Sequence, residues 1–186
     1  MSDLDYNRIS LRAPLKSEVI FAVGDICTKA LAINVSKNGV LMQMPVALPA
    51  VTVELPVALM LDIPFLRDLA KLSREKLMDL DPSEYQRNII HCLGRLKRIN
   101  VSTPMPQYGV HFDRLEEITT DQIEKYVYSF EKNITYLLNL IEDLGVKKEN
   151  FAIAKKVAEL LGYSFEEKIA VLRQKVLHDY QSLKEL

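Results

Sequence analysis

The chain has 186 residues, 48% of them hydrophobic, enough to bury a core yet short enough that one main domain with an appendage is the natural expectation. Its 24 basic and 25 acidic side chains leave a formal net charge of -1, which excludes global attraction to a nucleic acid duplex or an anionic membrane, so any anion must be held by a local cluster. No stretch approaches the roughly 20 apolar residues that a membrane span needs, and residues 1–12 mix acidic and basic side chains without an apolar core. The expectation is a cytoplasmic protein with no membrane insertion, whose two cysteines, Cys27 and Cys92, lack CxxC spacing and serve as small buried hydrophobes.

The first two-thirds of the chain reads as strands. Leu15 to Val23 carries apolar side chains of one parity, and in Val51 to Leu59 the residues Val51, Val53, Leu55, Val57 and Leu59 alternate with Thr52, Glu54, Pro56 and Ala58. Pro56 is awkward there, because proline lacks the donor that a central strand needs. Between these runs, Cys27 to Ser36 and Val40 to Met44 flank Lys37-Asn38-Gly39, and an Asn-Gly pair between apolar runs signals a hairpin. Asn88 to Ile99 and Gln107 to Phe112 form a further strand pair around a turn-rich segment, giving six short antiparallel strands and a small barrel. Residues 65–84 interrupt the rhythm with Leu66, Leu69, Leu72 and Leu77 among charges, which predicts a helical insertion.

From Thr119 onward the pattern is helical, with Thr119-Thr120-Asp121 as capping residues and Gly145 as the expected stop. Ile123, Val127, Phe130, Ile134, Leu137, Ile141 and Leu144 recur in steps of four and three, a heptad seam that one helix cannot bury. Self-association through a coiled coil and coverage by later helices are both open. Helices over 150–161 and 165–186, separated by Gly162, complete the tail. The predicted organisation is a barrel domain over 1–131 and a helical extension over 132–186.

The residues argue against catalysis. His91, His111 and His178 have no metal-ligand spacing, no glycine-rich phosphate loop precedes a helix, and no nucleophile sits in a recognised motif. Asp62, Asp79, Asp81 and Glu84 read as a solvated face near the insertion. Two other elements stand out. Arg8-Ile9-Ser10-Leu11-Arg12 is an RxxxR before the first strand, and Asn34-Val35-Ser36-Lys37-Asn38-Gly39 fits [D/N]xSxxG.

In this order, at adjacent strand edges, the two elements resemble the signature of the PilZ family. Gly94 to Arg98 is similar to its late strand, Tyr108 to Phe112 to its closing strand and Asp121 to Phe130 to its following helix, so the resemblance spans residues 6–131. It implies a mainly β plus α fold: a six-stranded antiparallel PilZ β-barrel, here with a helical insertion and a C-terminal helical extension. It also implies a non-enzymatic receptor for the bacterial second messenger cyclic di-GMP, with no other cofactor, an unidentified downstream protein and a possible homo-oligomer as partners. The ligand residues carried over are Arg8, Arg12, Asn34, Ser36 and Gly39, with Arg98 as a secondary contact. An arginine fork can pair with guanine O6 and N7 or with phosphate, Ser36 can bond phosphate or base, and Asn34 offers an amide oxygen to guanine N–H groups. Gly39 offers close backbone approach and positive φ. Asn34 stands where Asp is commoner, removing a charge-assisted bond, and Asn7 before the first arginine leaves one or two ligands per site open. The alternative is a ligand-independent scaffold assembled through the heptad helix.

Overall fold

The computed structural model describes residues 11–45, 47–48, 52–144, 150–164 and 168–184. Seven antiparallel strands, β1 (Ala13–Pro14), β2 (Glu18–Val23), β3 (Ile26–Ser36), β4 (Gly39–Gln43), β5 (Pro56–Pro64), β6 (Arg87–Asn100) and β7 (Gln107–Phe112), form one sheet in the order β1-β3-β2-β5-β6-β7-β4. An additional β3–β4 pairing closes six of them into a barrel, with β1 as a two-residue extra strand on β3. The predicted six-stranded barrel is the fold of this chain.

Period-two alternation points one side chain in two inward. Phe21, Leu61, Ile63, Leu96 and Tyr108 are fully buried, and Phe21 and Tyr108 meet with ring centroids 6.4 Å apart. The Tyr108 hydroxyl is satisfied by the Leu48 N–H at 2.8 Å. Three strand expectations shift. The run from Leu15 splits, with β1 before it and β2 after it, although Leu15 itself stays buried. The strand read over Val51 to Leu59 begins only at Pro56, because Val53 and Glu54 turn, Glu54 with φ 68; Val51 lies outside the described residues. Proline therefore opens β5, where its missing donor costs nothing in the strand interior. Third, Cys27 is exposed on the outer wall, contrary to the expectation of two buried thiols, while burial of Cys92 pushes its thiol pKa up to about 12.

The insertion between β5 and β6 is helical but broken: a 3-10 turn at Leu69–Lys71, α1 (Arg74–Asp79) and a second 3-10 turn at Pro82–Glu84. Ser73 and Asp81 cap the last two by accepting from the Lys76 and Ser83 N–H groups. After the barrel comes α2 (Glu117–Asp143), then α3 (Asn150–Leu160) and α4 (Ile169–Lys184). Glu116, not the Thr119-Thr120-Asp121 cluster, precedes α2, and Thr120 lies inside the helix with its hydroxyl donating to the Glu116 carbonyl. Gly145 lies outside the described residues. α2 runs through 131/132 without a break.

The heptad seam is covered within the chain. Ile123, Val127, Phe130, Ile134, Leu137 and Ile141 are buried within the chain, and Leu144 is half-buried at the helix end. α2 lies against β1, β3 and β5 on one side and against α3 and α4 on the other, so the later helices and the barrel together cover the stripe. Buried Asn133 fastens the same helix to the insertion: its Oδ1 accepts from the Leu69 N–H at 2.9 Å and its Nδ2 donates to the Arg67 carbonyl at 2.8 Å.

Asn133→Ala should cost about 1–3 kcal/mol, because the buried Leu69 N–H loses its partner. Ile134→Asp should cost more than about 4 kcal/mol by placing a carboxylate in the core. Urea denaturation reads both. A folded Ile134→Asp protein of unchanged midpoint, dissociated from a wild-type oligomer, would instead return the seam to an intermolecular role.

Candidate ligand site

The β1–β3 pairing sets the candidate site. Ala13 is registered with Val35 and Pro14 with Asn34, so Arg12, one residue before Ala13, emerges at the end of β3 where Ser36 lies. Arg12, the last residue of the first motif, is thus placed beside the second. Arg12 is exposed and engaged in an interaction of its own, and Arg8 lies outside the described residues. A register shift between Ala32 and Asn34 in the β3–β4 pairing lies beside it. Such a bulge bends a strand, and across it the opposite edge of β3 changes partner from β2 to β1.

Across the wall, two transverse rows follow from the register. Asn34 pairs with Leu41, Leu41 with Gly109 and Gly109 with Arg98; Ser36 pairs with Gly39, Gly39 with His111 and His111 with Arg95. With adjacent strands about 4.8 Å apart, Asn34 and Arg98 stand roughly 14 Å from each other across β4 and β7. Leu41 and Gly109 lie between them, and a Cβ on Gly109 would stand 3.2 Å from the Arg98 Cβ. The structure therefore brings Arg12, Asn34, Ser36 and Gly39 together on one side and sets Arg98 on the far side of the same wall.

The hairpin that carries Ser36 differs in detail from the Asn-Gly expectation. Lys37 and Asn38 are the two loop residues and Gly39 opens β4. Neither Gly39 nor the loop residues have positive φ. Gly39 is needed for close approach instead: a Cβ there would lie 2.2 Å from the Val110 carbonyl oxygen. Ser36 is only 2% exposed, and its hydroxyl accepts from the Asn38 N–H at 3.3 Å and donates to the Gly39 carbonyl at 3.4 Å, so its first task is the turn. Lys37 is paired with Glu124 of α2 at 3.2 Å. Next to the hairpin an open cleft of about 500 Å³ is lined by Lys37, Asn38, His111, Arg114 and Thr120. Sequence reasoning missed Lys37, a variable position of the second motif, and Arg114, which lies outside both; only the β4–β7 pairing brings His111 to the hairpin.

The residues after Arg12 are held by the helices. The Tyr126 hydroxyl of α2 donates to the Pro14 carbonyl at 2.5 Å, Lys16 Nζ donates to the Gly162 carbonyl at 2.8 Å, and the same ammonium lies 5.4 Å from the centre of the Tyr163 ring. Gly162, with φ 79, ends α3 in a Schellman arrangement: its N–H bonds the Glu159 carbonyl and the Tyr163 N–H bonds the Ala158 carbonyl. Tyr163 in turn donates its hydroxyl to Asp179 of α4 at 2.7 Å; burial and the neighbouring carboxylate both raise its pKa and keep it a donor.

The closed barrel, with Arg12 and the Asn34–Gly39 segment on its β1–β3–β4 edge and a helix packed behind them, has the six-stranded architecture expected of a PilZ-type barrel. No family model and no curated protein matches the chain. Among solved structures it is similar to the Bacillus subtilis inhibitor of motility MotI/DgrA, at 10% identity and a TM-score of 0.45, over 65% of this chain and 49% of that one. It is also similar to PlzA of Borreliella burgdorferi in complex with c-di-GMP, at 15% identity and a TM-score of 0.41, over 66% of this chain and 41% of that one. The PilZ domain of Escherichia coli YcgR with c-di-GMP matches at 12% identity and a TM-score of 0.43, over 69% of this chain and 93% of that one. This chain thus aligns with half or less of the MotI and PlzA chains.

Gly39→Ala should lower stability by about 1–3 kcal/mol, since β4 must move off the Val110 carbonyl. Gly24→Asn, at a position with φ 55 and nothing within 4 Å of a Cβ, should be close to neutral, because Asn tolerates that conformation. Thermal melts compare them, and equal losses would contradict the close-approach account.

Proposed function

We propose that the chain is a receptor for cyclic di-GMP, bound against the β1–β3–β4–β7 wall by Arg8, Arg12, Asn34, Ser36 and Gly39, and that its task is signalling, not catalysis. The observation that carries this reading is the β1–β3 register, which sets Arg12 beside the Asn34–Gly39 motif. A cyclic dinucleotide presents two guanines and two phosphates, and a guanidinium can clamp either through paired N–H donors. Arg98, across the same wall, would meet the ligand's far side. Ser36 contributes mainly by holding the turn, and Asn34 supplies a neutral acceptor.

The output follows from the chain's own connections. Ligand that fixes Arg8 and Arg12 also fixes the strand they enter, and that strand is bonded within four residues to Tyr126 and Gly162. Occupancy would thereby bias how α3 and α4 sit on the barrel, which is the surface presented to a downstream protein. The competing scaffold reading relied on the heptad seam, whose side chains from Ile123 to Ile141 are buried within the chain.

Calorimetry on the wild-type chain should detect cyclic di-GMP. Arg12→Ala and Arg8→Ala should each weaken binding by about 1.5–3 kcal/mol, roughly ten- to a hundred-fold. Arg12→Lys should recover only part, because lysine keeps the charge but loses the planar fork. Ser36→Ala should weaken binding less than either arginine change. No heat at ligand concentrations well above micromolar, with circular dichroism confirming the fold, would overturn the receptor reading.

A further inference from the structure

The barrel wall formed by β6, β5, β2 and β3 carries apolar side chains outward. The register aligns Leu93, Ala58, Ala22 and Cys27 in one transverse row, and His91, Met60, Ile20 and Lys29 in the next. Ile89 and Leu31 flank these rows, and the exposures of Leu93, Ile89 and Leu31 are 64%, 54% and 41%. A contiguous exposed patch of this kind marks an interaction surface. Because the barrel is closed and offers no edge for strand addition, contact here must be face to face.

We infer that this wall pairs with the same wall of a second copy of the chain. Charge decides the occupant. Glu18 is paired with Lys29 at 2.8 Å, Asp62 with Arg87 at 2.6 Å and Glu54 with Lys97 at 2.6 Å, so these carboxylates are matched within the chain, and among the described residues only Asp25, in the β2–β3 turn at the rim, adds an unpaired charge. The face itself thus has no net charge to recruit an acidic or basic partner and none to repel its own copy. A two-fold axis parallel to the strands between β5 and β2 sets Ala58 against Ala22 of the second copy, Met60 against Ile20 and Leu93 against Cys27. The small alanines fall on the axis, where two convex walls touch first. The larger Leu93, Ile89 and Leu31 fall where the walls diverge and fill the gap. Neither the ligand nor the buried heptad seam takes part.

Sedimentation of the full chain over a range of concentrations tests this. The wild type should form dimers, and Ala58→Arg, on an exposed position, should be monomeric with an unchanged melting temperature. Leu93→Cys should be joined to Cys27 of the second copy by a bis-maleimide cross-linker that spans facing walls, and adding Cys27→Ser should abolish the product; buried Cys92, its thiol pKa pushed up to about 12, stays out of the reaction. A wild type that is monomeric even at millimolar concentration would overturn the inference. So would a dimer that survives Ala58→Arg and gives no Leu93→Cys cross-link.

Discussion

The kink in β3 is the constraint on which the rest depends. An eleven-residue strand in a small barrel cannot keep one set of neighbours along its length, and the register shift between Ala32 and Asn34 is where it changes them. On one edge its partner changes from β2 to β1 across the shift, while on the other β4 pairs with it on both sides. The carbonyl of Ile33, the residue left out of the β3–β4 register, accepts the Leu15 N–H at 2.9 Å, so the irregularity is satisfied by the segment that follows Arg12. Without that bend the arginine arm would have no edge beside Asn34 and Ser36, and the two motifs would stay separate.

The helical extension is part of the same body as the barrel. Its longest helix buries a full heptad stripe, Asn133 bonds it to the insertion, and the Lys16–Gly162 bond closes the far end. The Schellman turn does two things at once: positive φ at Gly162 turns the chain after α3, and it leaves the Gly162 carbonyl to receive Lys16. The ammonium over the Tyr163 ring adds a cation–π contact, a small term at the surface, about 0.5–1 kcal/mol. A contact of that size can be shifted by ligand binding nearby, which suits a switch better than a rigid strut.

Much of this was legible in the residues. Alternating apolar positions fixed which side chains fill the barrel, the insertion between β5 and β6 followed from its broken rhythm, and the two motifs pointed to one another before any pairing was known. What escaped has physical causes. A heptad stripe records that a helix buries one face, but not what covers it, so α3, α4 and the barrel could not be told from a second chain. Apolar parity cannot locate the start of a strand, so β5 was placed five residues early, across a turn that only Glu54's positive φ reveals. Cys27 looked like a core residue because it sits among apolar neighbours, yet its parity on β3 points it outward. Gly39 was expected to offer both close approach and positive φ, and only the close approach holds, set by β7, which is distant in sequence.

The central claim is that ligand meets the wall built by β1, β3, β4 and β7 and is felt at the helices through β1. Amide chemical-shift mapping on isotope-labelled protein during a cyclic di-GMP titration tests both parts at once. The account predicts perturbations at Arg12, Asn34 to Gly39, Gly109 and His111, continuing through Lys16 to Gly162 and Tyr163. A saturable response confined to the opposite wall of β2, β5 and β6, or no response at all from a folded sample, would contradict it.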